Sequence, residues 1–150
     1  MLEVVILSQE MEEALGSFFA DVSKDNYACY YHPYSLTTET AKELCALSGK
    51  DLHYVLTDNG MILGHGMLRG WDEGYEIPSL GIVIHPAAAN KGLGTMFVKF
   101  LHSAAWIRGC FKIRLSVHKN NTVALSIYEK LGYVFVPKNE EELVGTLLRK

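Results

Sequence analysis

Apolar and polar positions alternate along this chain in two rhythms, which predict helices and strands in a definite order. Apolar residues at helical spacing predict helices over residues 10–22, 37–47, 92–108 and 121–131. Runs that are apolar or alternate with period two predict strands over residues 2–7, 52–57, 61–68, 77–84, 112–118, 133–136 and 143–148. The order is therefore β-α-α-β-β-β-α-β-α-β-β. It predicts one α/β domain over residues 1–150, with a mixed sheet that carries helices on both faces.

Element boundaries carry signals of their own. Asn59-Gly60, between two predicted strands, is typical of a tight hairpin. Thr38 is the expected N-cap of the second helix, and Gly109 stands where a C-terminal cap is expected after the third. The strand over 77–84 is apolar on both faces, which predicts a central place in the sheet.

Composition and charge narrow the class of protein. The chain has 150 residues, of which 49% are hydrophobic and 21% charged, as in ordinary globular domains. The net charge of −3 argues against a protein that binds nucleic acid or an anionic membrane surface. No apolar run approaches the ~20 residues of a membrane span, and no basic segment predicts a signal peptide. Three widely spaced cysteines favour reduced thiols in the cytoplasm over a disulfide frame or a metal site. The oligomeric state stays open, a homodimer included.

The stretch IHPAAANKGLG (84–94) joins the central strand to the best predicted helix. A helix N-terminus leaves four N–H groups without intrahelical partners, and glycines let them face an anion. This junction therefore predicts a cofactor that bears phosphate. It is not a P-loop, because Lys91 precedes the glycine, and Phe97 replaces the third glycine of a dinucleotide fingerprint.

The same stretch resembles the acetyl-coenzyme A signature of the GCN5-related N-acetyltransferases. That pattern is Val/Ile-x-Pro, two further residues, then Gln/Arg-x-x-Gly-x-Gly/Ala. Its fixed positions are matched by Ile84, Pro86, Gly92 and Gly94. Ala89 departs from it, standing where Gln or Arg is preferred, which is expected to weaken one contact while the backbone contacts remain.

A second stretch, VHKNNTVALSIYEKLGY, resembles the family block Asn-x-x-Ala-x-x-x-Tyr-x-x-x-Gly-Phe/Tyr. Its positions are matched by Asn121, Ala124, Tyr128, Gly132 and Tyr133. The predicted element order is also that of the family, so the resemblance spans nearly the whole chain. It implies a mixed, mostly antiparallel central sheet flanked by helices.

The resemblance implies acetyl-coenzyme A as the cofactor and places its contacts. In the family, the strand over 77–84 splays from the strand over 112–118, and the pantetheine arm fills the gap. The implied contacts in the strand and the following turn are Ile82, Val83, Ile84, Ala89, Asn90, Lys91, Gly92, Leu93, Gly94 and Thr95. Asn121 is expected to bond the cofactor arm or to cap its own helix. Backbone N–H groups at 82–84 are expected to stabilise the negative charge that develops on the thioester oxygen.

Two catalytic roles follow from the resemblance. Tyr128 is expected to serve the departing thiol. Proton transfer from a phenol of pKa ~10 to a thiolate of pKa ~8.5 is uphill by roughly 2 kcal/mol, a gap that burial or a helix N-terminus would change. Glu76 is the expected general base, because it opens the central strand thirteen residues before Ala89, the offset of a catalytic glutamate in branches that acetylate protein N-termini. The competing bases are Asp72, Glu73, His85 and His32.

Two aromatic and polar stretches, 25–34 and 69–76, are expected to shape the acceptor pocket. The candidate substrate-binding residues are Tyr31, His32, Arg69, Trp71 and Asp72. Aromatic faces and carboxylates favour a small polar amine, namely an amino sugar, an amino acid or a polyamine, with the amino sugar preferred. One alternative is acetylation of a protein N-terminus or lysine. A second, from a different class, is a non-catalytic sensor that binds acyl-coenzyme A.

Overall fold

A seven-stranded sheet with helices on both faces forms the computed structural model, which describes residues 1–30 and 33–150. The strands are β1 (Leu2–Ile6), β2 (Leu52–Asp58), β3 (Met61–Arg69), β4 (Ser79–Ile84), β5 (Lys112–His118), β6 (Val134–Pro137) and β7 (Glu142–Leu148). The helices are α1 (Glu12–Val22), α2 (Thr38–Cys45), α3 (Leu93–Ile107) and α4 (Thr122–Lys130). The strand order is β1-β2-β3-β4-β5-β7-β6, and only β4 and β5 run parallel. The predicted element order and the mostly antiparallel sheet are confirmed.

Several predicted boundaries shift by one or two residues, and two of these shifts have a clear local cause. The N-cap of α2 is Thr37, whose side chain accepts a hydrogen bond from the Thr40 N–H at 3.1 Å, and not Thr38. The central strand begins at Ser79 and not at Ile77. Pro78 explains the shift, since it has no N–H with which to extend the ladder. Within the described ranges, no helix combines the length and apolarity that a bilayer crossing requires.

The sheet separates two hydrophobic cores. On one face, α1 and α2 pack on β2, β3 and β4 through a core that includes Phe18, Phe19 and Val55. On the other face, α3 packs on the same strands and on β5. Gly66 lets α3 approach closely, because a Cβ there would lie 2.8 Å from the Phe97 ring. This close packing fixes the N-terminus of α3 beside the end of β4.

The two central parallel strands are joined at one end only. Their single bridge pairs Ser79 with Arg114, whereas β3 and β4 pair along their length from Gly64↔Ile84 to Arg69↔Ser79. Beyond Ser79 the strands diverge, as predicted. Main-chain groups of β4 that face the gap therefore have no strand partner there, which is unusual in a sheet interior.

A buried histidine pair lies between β2 and β3 on the face that α1 covers. His53 Nδ1 and His65 Nε2 are 3.3 Å apart, and the rings stack with centroids at 5.5 Å. Their other ring nitrogens have no hydrogen-bond partner in the described part of the chain. Burial lowers the pKa of His65 to about 3 and also lowers the pKa of His53.

We expect this pair to make the fold sensitive to acid. The unfolded chain protonates both histidines below about pH 6.5, while folded His65 stays neutral until about pH 3, so stability is lost as the pH falls through that window. Each histidine contributes up to about 1.4 kcal/mol per pH unit. Urea unfolding between about pH 7.5 and about pH 5 measures the slope. His65→Leu is expected to flatten it, and an unchanged slope in that variant would assign the acid sensitivity to other groups.

Candidate active site

The turn between β4 and α3 presents bare backbone. Asn90 and Gly92 have left-handed φ values of 61° and 79°, which Asn tolerates and Gly favours. Gly92 is the N-cap of α3 and provides no side-chain cap. A Cβ at Gly92 would meet nothing within 4 Å, and one at Gly94 would meet only Ile84 Cγ1 at 3.9 Å. The N–H groups of the first turn of α3 are therefore open to an anion.

A cavity of about 680 Å³ extends from this turn into the gap between β4 and β5. Its wall includes six of the predicted cofactor residues: Ile82, Val83, Ile84, Ala89, Asn90 and Gly94. The other four predicted positions in the turn, Lys91, Gly92, Leu93 and Thr95, lie beside the cavity and not on its wall. Lys91 is exposed, and its Nζ donates to the Ala87 carbonyl at 3.2 Å.

The start of α4 forms the opposite wall of the cavity. Asn121 caps this helix, since its side chain accepts from the Ala124 N–H at 3.4 Å, and both residues also line the cavity. The capping alternative for Asn121 is thus observed, and contact with a cofactor stays a prediction.

Tyr128 reaches the cavity from the hydrophobic core. It is 8% exposed, and its ring packs edge to face on Tyr133, whose hydroxyl lies 2.8 Å from His102 Nε2. No side chain in the described ranges is hydrogen-bonded to the Tyr128 hydroxyl. Burial raises the pKa of Tyr128 well above its usual value, which widens the gap to a thiol. Tyr128 is therefore suited to donate a hydrogen bond while keeping its proton.

The comparisons with known proteins agree with this geometry. A model of the acetyltransferase (GNAT) family matches residues 19–133. The chain belongs to the GNAT family. An acetyltransferase of Pectobacterium atrosepticum is 32% identical over 83 residues, which cover 55% of this chain and 57% of that protein, little more than half its length.

Solved structures share the GNAT fold along the whole chain. A GNAT acetyltransferase from Streptococcus pneumoniae superposes with a TM-score of 0.80 at 20% identity, covering 100% of both chains. The PaiA N-acetyltransferase of Thermoplasma acidophilum, solved in complex with coenzyme A, gives 0.81 at 19% identity, covering 99% of each. Acetyl-coenzyme A, the predicted cofactor, is the one the GNAT family uses. The bare turn at Gly92 and Gly94 fits a diphosphate, and the open edge of β4 fits an extended arm.

The predicted general base lies outside the cavity of this GNAT chain. Glu76 is exposed, precedes β4 and does not open it, and is absent from the cavity wall. Two backbone N–H groups, of Lys50 at 2.6 Å and Asp51 at 3.1 Å, donate to Asp72 and lower its pKa. Glu73 is exposed and is not on the wall.

Of the two histidine candidates for the base, His85 is held by contacts at both ends of its ring. His85 uses both ring nitrogens, since Nδ1 accepts from the Ala87 N–H at 3.0 Å and Nε2 lies 3.0 Å from Asp21 Oδ2. The bond from His85 lowers the pKa of Asp21, so Asp21 remains a carboxylate. His32 and Tyr31 lie outside the described residues.

Glu142 is a carboxylate on the cavity wall that the sequence analysis missed. It is the only acidic residue on that wall among the residues the structure describes. It stands opposite His118 in the β5–β7 ladder, and Asn139 Nδ2 lies 3.4 Å from its Oε1. Glu142 reaches the cavity because β7 pairs with β5. The hydropathy pattern does not show which strands pair, so it could not indicate this residue.

Of the three predicted substrate residues that the structure describes, Arg69 is on the cavity wall, and Trp71 and Asp72 are not. Trp71 is turned elsewhere, with the Arg108 guanidinium 4.3 Å from its ring centroid. Together with the backbone bonds to Asp72, this contact holds Trp71 and Asp72 at the end of β3, and contact of either residue with the acceptor stays a prediction.

The connection between α1 and α2 covers one side of the cavity. The Tyr27 hydroxyl donates to the Ile84 carbonyl at 2.8 Å, and the Tyr30 ring stacks on His118 at 4.5 Å. These two tyrosines thus span the gap, with contacts on both diverging strands.

Proposed function

We propose that this protein is an acetyl-coenzyme A-dependent N-acetyltransferase that acts by direct transfer on the primary amine of a small polar molecule. The observation that carries the proposal is one continuous cavity that joins the bare N-terminus of α3, the buried Tyr128 and a polar wall. When bound, acetyl-coenzyme A supplies a thioester, whose C–S bond breaks as the amine nitrogen forms the new C–N bond.

Different residues bind the cofactor, stabilise the leaving group and accept the proton of the amine. N–H groups of the first turn of α3 hold the diphosphate, and the free edge of β4 aligns the arm toward Tyr128. Tyr128 donates a hydrogen bond to the departing sulfur, which lowers the barrier without full proton transfer. Glu142 takes the proton that the amine loses, directly or through water.

Two tyrosines over the cavity support a small acceptor molecule. Because Tyr27 and Tyr30 contact both diverging strands, the space left beside Tyr128 suits a small molecule better than a polypeptide segment. Acetylation of a protein N-terminus or lysine is therefore the second candidate. We also propose a cytoplasmic location, supported by three free thiols, Cys29, Cys45 and Cys110, while a homodimer stays a prediction.

Two measurements test this function. Calorimetry with acetyl-coenzyme A is expected to show binding, and thiol release is expected with at least one member of a panel of amino sugars, amino acids and polyamines. Release only with peptides would favour the protein acetyltransferase. Binding without release for any amine would favour the non-catalytic sensor.

The assignment of the base is tested by a matched pair of variants. Glu142→Gln is expected to lower kcat by about 100-fold near neutral pH. Glu76→Gln, on the exposed segment before β4, is expected to leave kcat unchanged. The opposite result, with Glu76→Gln inactive and Glu142→Gln active, would restore Glu76 as the base.

A further inference from the structure

A row of polar side chains crosses three strands where the cavity closes. Arg69 pairs with Ser79 between β3 and β4, and Ser79 pairs with Arg114 between β4 and β5. Directly paired residues project to the same face of a sheet, and neighbouring strands lie ~4.8 Å apart. The two arginine Cα atoms are therefore about 10 Å apart with the serine between them, and all three residues line the cavity.

Neither arginine has an acidic partner in the protein. The ion pairs of residues 1–30 and 33–150 involve Asp58 and Asp21, remote from this row, and residues 31 and 32 are Tyr and His. Arg69 lies over the Tyr34 ring at 5.2 Å, and one of its N–H groups meets the Pro33 carbonyl at 3.5 Å. Among the described residues, Tyr34 and the Pro33 carbonyl are its neighbours, and neither carries a negative charge at neutral pH.

The burial of these arginines makes a ligand counter-charge favourable. Arg69, Ser79 and Arg114 are all half-buried on the cavity wall. A guanidinium that is partly removed from water gains most from a carboxylate or phosphate, which it binds through two parallel N–H groups. Two guanidinium groups on either side of a hydroxyl therefore form a receptor for one anionic group.

The charge of the whole wall argues against a purely cationic acceptor. Lys138 adds a third cation, and its Nζ lies 3.5 Å from Ser116 Oγ. Glu142, the one carboxylate on the described part of the wall, pairs with His118 of β5. His118 is four residues from Arg114, so Glu142 is about 13 Å from Arg114 along the strand. A polyamine would place its second ammonium group beside the arginines.

We propose that the acceptor amine carries an anionic group, a carboxylate or a phosphate, which Arg69, Ser79 and Arg114 bind. This inference rests on the proposed acetyl transfer and names its substrate class. The anion lies at the closed end of the cavity, and the amine lies between it and Glu142, near the level of Gly81 and Ser116. It replaces the neutral amino sugar as the preferred acceptor.

Paired acceptors that differ in one anionic group test the proposal. Thiol release is measured for each α-amino acid and its amide, for β-alanine and its amide, and for phosphoethanolamine against ethanolamine, with spermidine and glucosamine alongside. The members that carry a carboxylate or phosphate are expected to exceed their partners without that group in kcat/KM by about 10- to 100-fold. The amino acid pairs test for a carboxylate, and the phosphoethanolamine pair tests for a phosphate. A fastest reaction with a neutral or polycationic amine would overturn the proposal.

Substitutions of the two arginines test whether they cause the preference for anionic amines. Arg69→Gln and Arg114→Gln are each expected to lower kcat/KM for the best anionic amine by about tenfold or more, with little change for its neutral partner. Lys112→Gln removes a cation from the same strand but off the cavity wall, and is expected to keep the preference. A preference that survives in Arg114→Gln would assign it to other residues.

Binding separates this inference from the proposed function. Calorimetry titrates the same anionic amines into protein saturated with coenzyme A, wild type and Arg114→Gln. If no amine releases thiol but the anionic amines bind only when Arg114 is present, the proposed transfer reaction is wrong and the anion site is supported. If thiol is released with no preference for anionic amines, the reaction is supported and the anion site is wrong.

Discussion

Replacing Gly94 with phenylalanine is expected to lower the affinity for coenzyme A by about 100-fold, or about 2.7 kcal/mol. Gly94 lies in the first turn of α3, on the wall of the cavity, and its φ is not in the left-handed region. A side chain there therefore causes no backbone strain but occupies the space in front of the N–H groups. Calorimetry with coenzyme A measures the loss, and thermal unfolding of the free protein shows that the fold is retained.

Gly94→Ala is the matched control for size. Its Cβ would meet only Ile84 Cγ1 at 3.9 Å, an ordinary contact, and alanine favours a helix. The affinity is expected to stay within about twofold of wild type. Full affinity in the phenylalanine variant would mean that the cofactor does not use the first turn of α3.

The second large effect is expected from Tyr128→Phe, which should lower kcat by about 100-fold while the affinity for coenzyme A stays nearly unchanged. The substitution removes only the hydroxyl, and no described side chain bonds to that hydroxyl, so the packing of the ring on Tyr133 is kept. Burial keeps the phenol protonated, because its pKa is raised, and the lost function is the hydrogen bond to the sulfur. Single-turnover rates with saturating acetyl-coenzyme A measure the effect.

Tyr133→Phe provides the comparison for a nearby phenol. Its hydroxyl is bonded to His102 within the core, at 2.8 Å, so its loss is expected to reduce the free energy of unfolding by about 1–3 kcal/mol with a small effect on kcat. If Tyr128→Phe kept full turnover, Tyr128 would be a core residue only.

The order of elements and the cofactor turn follow from local patterns in the sequence. Helix α3 could be predicted because its apolar spacing is bounded by glycines, and Gly92 and Gly109 do adopt left-handed φ values at its ends. The bare turn after β4 is likewise a local property of its residues. These features depend on neighbours along the chain, which is the information that a hydropathy pattern contains.

The residues of the acceptor wall depend instead on which strands pair. Glu142 and Arg114 enter the cavity because β7 lies beside β5, and β5 meets β4 at a single bridge, relations between distant segments. The aromatic stretch over 69–76 does not reveal that the Trp71 ring is covered by Arg108, which lies at the far end of α3. Glu76 was misplaced for a local reason, because Pro78 delays the start of β4.

The single bridge between β4 and β5 has a thermodynamic consequence. The gap between β4 and β5 leaves the sheet incomplete in its interior, and a ligand that lies along the gap supplies the partner that main-chain groups of β4 lack there. The free energy of ligand association then adds to the free energy of unfolding, which rises with the logarithm of the ligand concentration once that concentration exceeds Kd.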